Sequence, residues 1–229
     1  MKLQYLAHAC FMITTDAKTK IVIDPWLDQN PLAPIKSKDI KADYIILSHA
    51  HGDHCGDTLK ITHPETTIIA VSELASYFKT QAVKTHAMQI GGSFEFEFGT
   101  AKLVSAQHGS MTFDGRYGGL AAGIILEIGG ITLYHMGDTG LFGDLKLIGE
   151  MYEIDYLMIP IGGNYTMGPQ DAALAAKWLE PRLAIPMHFN TFPQIRQNPL
   201  DFYDLCEAEG VAVKILEPGE ELLLKAREE

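Results

Sequence analysis

The sequence has few cysteines and no apolar run long enough to cross a membrane. Cysteine occurs three times in 229 residues, at widely separated positions. An odd, scattered set does not form the disulfide framework of a small secreted domain, so it favours a reducing compartment. No stretch approaches the roughly 18 consecutive apolar residues that a spanning helix needs. The first residues, MKLQYLAHACFMITTD, are typical of a strand and not of a signal peptide, and we expect a cytoplasmic protein.

Basic residues are also scarce. Eighteen lysines and arginines stand against 29 aspartates and glutamates, which gives a formal net charge of −11. A field of this sign repels the phosphates of nucleic acids and of anionic membranes, so we expect neither as a partner. A small molecule is the expected substrate. An anionic one stays compatible with this charge, because bound metal ions would offset part of it locally.

Short apolar runs between Gly, Pro, Asn and Asp predict an α/β protein with many strands and few helices. The expected strands are 3–6, 10–14, 20–23, 44–48, 67–71, 93–98, 101–105, 122–128, 131–135, 156–159, 183–187 and 221–225. The expected helices are 72–80, 169–179 and 200–209. Pro169 is typical of the first residue of a helix, and Gly210 is typical of a residue that follows a helix end.

The length fits a single domain over 1–229, and a faint internal similarity divides it. The apolar run after Asp43 follows a predicted strand that ends at Asp24, and the run after Asp155 follows a strand that leads into Asp138. This pattern predicts two similar β-rich halves, about 1–115 and 116–229, with their sheets facing each other and the helices outside. Chance similarity is the alternative interpretation.

A cluster of candidate metal ligands follows the apolar run 44–48. Within six residues the chain places three histidines and an aspartate: His49, His51, Asp53 and His54. Imidazole nitrogens and carboxylate oxygens are donors that Zn²⁺ accepts, and Gly52 allows a tight turn between them. The alternative is a solvated histidine-rich loop, in which these groups would repel one another at low pH without any packing benefit. The cluster therefore predicts a metal site.

Three further candidates each follow an apolar run. His108 follows the run that begins at Leu103, Asp138 follows the run that begins at Ile131, and His188 follows the run that begins at Leu183. A single His or Asp at a strand end is more often a turn residue or a satisfied core residue. Their repetition beside the cluster favours one shared site.

The cluster and these three residues together resemble the ligand pattern of the metallo-β-lactamase superfamily, which is present here as His49-x-His51-x-Asp53-His54, His108, Asp138 and His188. The runs 161–173 and 185–193 resemble a branch of metal-dependent hydrolases similar to the L-ascorbate-6-phosphate lactonases. The resemblance covers most of the chain and implies a four-layer αββα sandwich.

The resemblance also implies two divalent metal ions. It assigns the first ion to His49, His51 and His108, the second to Asp53, His54 and His188, and Asp138 as a bridge between them. It places Asp24 behind the ligands, where it would orient a ligand histidine. Zn²⁺ is the favoured ion by affinity, and Mn²⁺ or Fe²⁺ would also accept these donors.

The histidine at position 51 bears on the reaction class. Relatives that carry out oxygen chemistry with two irons tend to have Glu at this position, so His51 favours hydrolysis. The reaction implied is attack by a metal-bridging hydroxide on a small ester, lactone or phosphoester. Asp53 is predicted to act as a ligand and also to hold or accept a proton from the nucleophile.

Three residues are candidates for substrate binding. His8 lies in the first β segment, and a buried strand histidine is the equal alternative. Asn164 lies in the second half where the first half has its histidine cluster, and Asn190 follows the last predicted ligand. Both amides could donate hydrogen bonds to a substrate.

Two other functions stay open on the sequence alone. The first is a phosphodiesterase acting on a nucleotide or a lipid head group, because two metal ions also suit in-line displacement. The second is a non-catalytic metal-binding or sensing protein. A homo-oligomer is a further hypothesis, in which a neighbouring subunit would complete a pocket that no long insertion covers.

Overall fold

The computed structural model describes residues 1–227 and contains thirteen strands and six α-helices within that range. The strands are β1 (Lys2–Tyr5), β2 (Phe11–Thr14), β3 (Lys20–Ile23), β4 (Tyr44–Ile46), β5 (Thr67–Val71), β6 (Lys84–Met88), β7 (Ser93–Phe96), β8 (Gly99–Ser105), β9 (Ala122–Ile128), β10 (Ile131–His135), β11 (Tyr156–Pro160), β12 (Leu183–Met187) and β13 (Glu221–Leu223). The helices are α1 (Gly52–Cys55), α2 (Thr58–Ile61), α3 (Ser72–Lys79), α4 (Leu145–Met151), α5 (Pro169–Leu179) and α6 (Pro199–Ala208). Across residues 1–227, every helix is too short or too polar to span a membrane.

The strands form two mixed sheets. The first has the order β13-β1-β2-β3-β4-β5-β6, and the second has the order β12-β11-β10-β9-β8-β7. In the first sheet β1, β2 and β3 are antiparallel, whereas β3 to β6 run parallel. In the second sheet β7 to β10 are antiparallel, and β10, β11 and β12 run parallel. Each sheet therefore joins an antiparallel part to a parallel part.

Apolar side chains from both sheets meet in one core. Ile21 and Ile45 of the first sheet and Leu103 and Ile124 of the second belong to this cluster, and all four are fully buried. A second cluster lies on the outer face of the second sheet, beneath α4, α5 and α6. On the first sheet α3 packs against β5 and β6. These layers confirm the predicted α/β, four-layer αββα sandwich.

The predicted helix 169–179 matches α5, and the other two predicted helices match α3 and α6 within one residue at each end. The sequence did not predict β6, α4 or the single-turn helices α1 and α2. The strand β6 is at a sheet edge with most of its side chains partly exposed, so it lacks the apolar run that marks a buried strand. The helix α4 contains Gly149, which lets it approach α5 closely: a Cβ there would lie 2.3 Å from the carbonyl oxygen of Trp178.

The two predicted halves do not coincide with the two sheets. β7 and β8 lie before residue 115 but pair in the second sheet, and β13 lies in the last part of the chain but pairs with β1 in the first sheet. The division at about 115 is therefore not a division between sheets. The internal similarity of the halves stays a prediction.

Candidate metal centre

The predicted ligands lie where strands of both sheets end. Asp24 directly follows β3, His188 directly follows β12, and His49 comes shortly after β4. His108 comes three residues after the end of β8, and Asp138 comes three residues after the end of β10. The short helix α1 begins directly after His51 and carries Asp53 and His54. Both sheets thus contribute ligands at one end of the sandwich.

Several of these positions have backbone angles in the left-handed region, which side chains other than glycine rarely adopt. The φ angle is 49° at Asp24, 56° at His188 and 61° at His8. Gly137, directly before Asp138, has φ 62°, and a Cβ there would lie 2.8 Å from the Cβ of Ser48. Such backbone strain is tolerated where the surrounding structure holds it, and it concentrates at functional sites.

Three histidines form the first group of candidate ligands. Each of His49, His51 and His108 offers a ring nitrogen, and these atoms all lie within 4.8 Å of one another. The His49 Nε2 atom is 3.0 Å from the His51 Nδ1 atom. The His108 ring centroid lies 5.0 Å from that of His49 and 5.2 Å from that of His51. This is the set that the resemblance assigns to the first ion.

The second group contains Asp53, His54 and His188, which the resemblance assigns to the second ion. One ligand atom from each of these residues and from His8 lies within 4.8 Å of the others. The His188 Nε2 atom is 3.9 Å from Asp53 Oδ2. The rings of His54 and His188 are stacked, with centroids 5.4 Å apart.

Asp138 lies between the two groups. Its Oδ2 atom is 3.5 Å from His108 Nε2 in the first group and 3.1 Å from His188 Nε2 in the second. Its Oδ1 atom is 3.4 Å from His54 Nε2. One carboxylate therefore reaches both sets, which is the arrangement that a bridging ligand needs.

The donor set fits divalent metal ions. Asp138 Oδ1, His54 Nε2 and both ring nitrogens of His188 are buried without a hydrogen-bond partner in residues 1–227. An unpaired buried polar atom costs roughly 1–3 kcal/mol, so a concentration of them needs an explanation. Metal ions held at this centre would satisfy Asp138 Oδ1, His54 Nε2 and His188 Nε2, which are directed toward one another. The roles of the seven side chains as metal ligands stay a prediction.

Asp24 and Ser48 fix the orientation of two of the histidines. His54 Nδ1 donates to Asp24 Oδ2 over 2.7 Å, which leaves His54 Nε2 directed into the site. Ser48 donates through its backbone N–H to Asp24 Oδ1 over 2.8 Å and through its hydroxyl to Asp24 Oδ2 over 2.5 Å. The Ser48 oxygen can then accept from His49 Nδ1 at 2.9 Å. The sequence predicted the position of Asp24 but missed Ser48.

Burial keeps the first histidine group in the metal-binding form. It lowers the pKa values of His49, His51 and His108 below the usual histidine value. Neutral imidazole is the form that binds a cation, so protons compete weakly for these three nitrogens.

In the second group, neighbouring charges and hydrogen bonds outweigh burial in setting the pKa values. Burial alone would lower the pKa of His54, but the carboxylates of Asp138 and Asp24 outweigh it and hold that pKa well above its usual value. Burial would likewise raise the pKa of Asp53, yet the hydrogen bond with His8 and the charge of His54 hold it well below its usual value. Asp53 is therefore ionised over the physiological range.

The three predicted substrate residues do not line the mouth of the centre. His8 is 1% exposed, and its ring nitrogens lie 2.6 Å from Thr191 Oγ1 and 3.2 Å from Asp53 Oδ2. Asn164 and Asn190 are exposed, and the Asn190 side chain accepts a hydrogen bond from the backbone of Gln197. Their contact with substrate stays a prediction.

The sequence did not predict two aromatic residues that lie at the mouth of the candidate metal centre. Tyr165 and Phe192 line a cavity of about 230 Å³ together with His51, His108 and Asp138. Both lie on irregular segments, so no periodicity pointed to them.

The geometry predicts that His8 positions Asp53. We expect His8→Asn, which suits a positive φ angle, to lower kcat by about 10- to 100-fold with KM unchanged, the usual effect of removing a partner of a metal ligand. The matched variant Thr191→Val removes only the hydroxyl beside His8 and should lower kcat less. Steady-state kinetics on both variants check this, and the double variant should be no worse than His8→Asn. A raised KM with unchanged kcat would instead indicate the substrate contact expected from the sequence.

Comparison with known proteins agrees with this geometry. The sequence profile of the beta-lactamase superfamily domain matches residues 2–188. A UPF0173 metal-dependent hydrolase of Bacillus cereus is 46% identical over 230 residues, which cover 98% of this chain and 100% of that protein. A UPF0173 metal-dependent hydrolase of Anoxybacillus flavithermus is 46% identical over 220 residues, which cover 94% and 97%.

Solved structures show the same fold. Igni18, a metallo hydrolase of the archaeon Ignicoccus hospitalis, superposes with a TM-score of 0.90 at 35% identity, over 99% of both chains. An isothiocyanate hydrolase from Delia radicum gut bacteria superposes with a TM-score of 0.78 at 19% identity, over 99% of this chain and 100% of that one. The chain belongs to the metallo-β-lactamase superfamily and, within it, to the UPF0173 metal-dependent hydrolases.

Proposed function

We propose that this metal-dependent hydrolase is binuclear and cleaves a small ester, lactone or phosphoester. The observation that supports the proposal best is the position of Asp138, whose two oxygens lie 3.1–3.5 Å from histidines of both ligand groups. Zn²⁺ is the ion that we propose first, with Mn²⁺ or Fe²⁺ as alternatives.

The chemistry divides between the ions and the protein. Two divalent ions held by these residues would lower the pKa of a shared water toward about 7 and polarise the oxygen of the scissile bond. Asp53 is ionised and 28% exposed in its side chain, so its carboxylate can accept a hydrogen bond from an attacking water and orient it. His8 holds that carboxylate through Nε2. Tyr165 and Phe192 restrict access of bulk water from one side.

The cellular compartment and the class of substrate are also part of the proposal. Cys10, Cys55 and Cys206 are all free thiols, which suits a reducing compartment such as the cytoplasm. The net charge of −11 supports a small-molecule substrate over a nucleic acid or a membrane. Similarity to the lactonases and a homo-oligomeric state stay hypotheses.

Metal analysis and hydrolysis assays on one preparation test the function. Protein reconstituted with Zn²⁺ or Mn²⁺ should hold about two ions per chain by elemental analysis. It should hydrolyse p-nitrophenyl acetate or a simple lactone faster than bis-p-nitrophenyl phosphate. His51→Ala should lower both metal content and turnover, because it removes one nitrogen of the first group.

The matched control is His63→Ala, which removes a histidine outside the centre. It should leave metal content and turnover within about twofold, as surface substitutions usually do. Preferential cleavage of the phosphodiester would indicate the phosphodiesterase alternative. Two bound ions without turnover on any of these substrates would indicate the non-catalytic alternative.

A further inference from the structure

A second and larger cavity adjoins the candidate metal centre. Its volume is about 680 Å³, within the roughly 300–1,000 Å³ typical of small-molecule sites. Asp53 lines both this cavity and the mouth of the centre, so the two adjoin at this residue. A molecule whose scissile bond lies beside Asp53 can therefore extend into this space.

The walls of the cavity are mainly apolar. Its lining includes Trp26, Leu59, Tyr77, Phe78 and Phe113. The Trp26 ring also contacts His8, with centroids 4.9 Å apart, so this wall adjoins the residue that holds Asp53.

The cationic group of the lining is paired with carboxylates. Lys60 is the only cationic side chain of the lining, all of which lies within residues 1–227, and its Nζ is 2.7 Å from both Asp28 Oδ2 and Asp57 Oδ1. The other Asp57 oxygen accepts backbone N–H groups of Leu27 and Asp28 at 2.6 Å and 2.9 Å. The cavity thus offers no free positive charge to a phosphate or a carboxylate.

Phe113 forms an unusually exposed wall. Its side chain is 95% exposed, and a Cβ added at Gly52 would lie 3.7 Å from its ring. The ring therefore stands over the residue before Asp53 with most of its apolar surface in water. Together with the apolar lining of the adjoining cavity, the ring extends one contiguous apolar surface, and such surfaces mark ligand-binding grooves.

We infer that this cavity, here named the acyl pocket and lined by Trp26, Leu59, Tyr77, Phe78 and Phe113, binds the aliphatic or aromatic part of an uncharged ester or lactone. The inference rests on the proposed hydrolase function and narrows its substrate class. It favours apolar esters over phosphorylated sugars, because Lys60 is already paired with two carboxylates and most of the surface of the pocket is apolar.

The test is a series of p-nitrophenyl esters from acetate to hexanoate on the metal-loaded enzyme. We expect kcat/KM to rise about threefold to fourfold for each added methylene, the gain expected for burying a CH₂ group. Phe113→Ala should flatten this dependence and is compatible with the fold, because the side chain is exposed. Leu147→Ala removes an exposed apolar side chain on α4 and should leave the dependence unchanged.

A binding experiment separates the pocket from the reaction. Hexanophenone is an apolar ketone with no hydrolysable bond, and Trp26 fluorescence in a Trp178→Phe background should report its saturable binding. Phe113→Ala should weaken that binding at least fivefold. If the enzyme hydrolyses p-nitrophenyl acetate but kcat/KM does not change with the length of the acyl chain, the inference is overturned and the hydrolase proposal is left intact. Ketone binding without hydrolysis of any ester, lactone or phosphoester would support the pocket and overturn the proposed function.

Discussion

Replacing Asp138 with alanine is expected to reduce kcat/KM by at least about 10³-fold and to lower metal content from about two ions per chain to one or fewer. Asp138 is the only carboxylate within 3.5 Å of histidines from both candidate ligand groups in residues 1–227. Replacing Asp138 should therefore lower kcat/KM by more than the roughly 10- to 100-fold effect of removing a side chain that only hydrogen-bonds to a ligand. Elemental analysis and steady-state kinetics on the same sample measure both effects.

The matched control for this variant is Asp144→Ala. Asp144 is an exposed carboxylate six residues further along, and its side chain makes no hydrogen bond to the helix that follows it. Removing it changes the net charge equally, and we expect activity within about twofold of the wild type. Circular dichroism should show that both variants are folded. Two bound ions and full activity in Asp138→Ala would contradict the assigned bridge.

Removing metal from the wild-type protein is expected to abolish hydrolysis and to lower the Tm by roughly 10 °C. A single ion present at about 1,000 times its dissociation constant adds roughly 4 kcal/mol to the free energy of unfolding, and a chain of this size changes Tm by about 2–4 °C per kcal/mol. The shift of roughly 10 °C is therefore the one expected from one tightly held ion, and a second ion would add to it. The physical source is the set of buried, unpaired atoms on His54, Asp138 and His188. Thermal unfolding before and after chelation measures the shift.

Two controls belong to the chelation experiment. Adding back the metal should restore both the Tm and the activity, which separates metal loss from irreversible damage. Asp138→Ala should show a much smaller shift on chelation, because it holds fewer ions to lose. An unchanged Tm after complete removal of metal from the wild type would contradict a structural contribution of the ions.

The sequence predicted which side chains come together at the candidate centre, because each of them is marked locally. His108, Asp138 and His188 each follow a run of apolar residues, and the histidine cluster occupies one short turn. A strand end is a local signal, and strands that share an end of a sandwich bring such residues together. The layered fold followed from the resemblance, and the predicted helices 169–179 and 200–209 followed from Pro169 and Gly210 at their boundaries.

The parts that were missed depend on contacts between distant residues. His8 meets Asp53 and Thr191, which are 45 and 183 residues away in the chain, so nothing near His8 indicates its partners. Ser48 gains its role only once Asp24 packs beside it. Phe113 lies on an irregular loop, where neither helical nor strand periodicity applies. The division into halves failed as a division into sheets because β7, β8 and β13 cross between them.

The left-handed backbone at His8, Asp24 and His188 bears on which substitutions related proteins would accumulate during evolution. Each residue of this kind costs on the order of 1–3 kcal/mol of folding free energy. Glycine would adopt these angles more cheaply, so we infer that the imidazoles and the carboxylate are kept for their chemistry. In a related protein that has lost hydrolase activity, we expect substitutions at these three positions to occur early. We expect these substitutions to increase the free energy of unfolding.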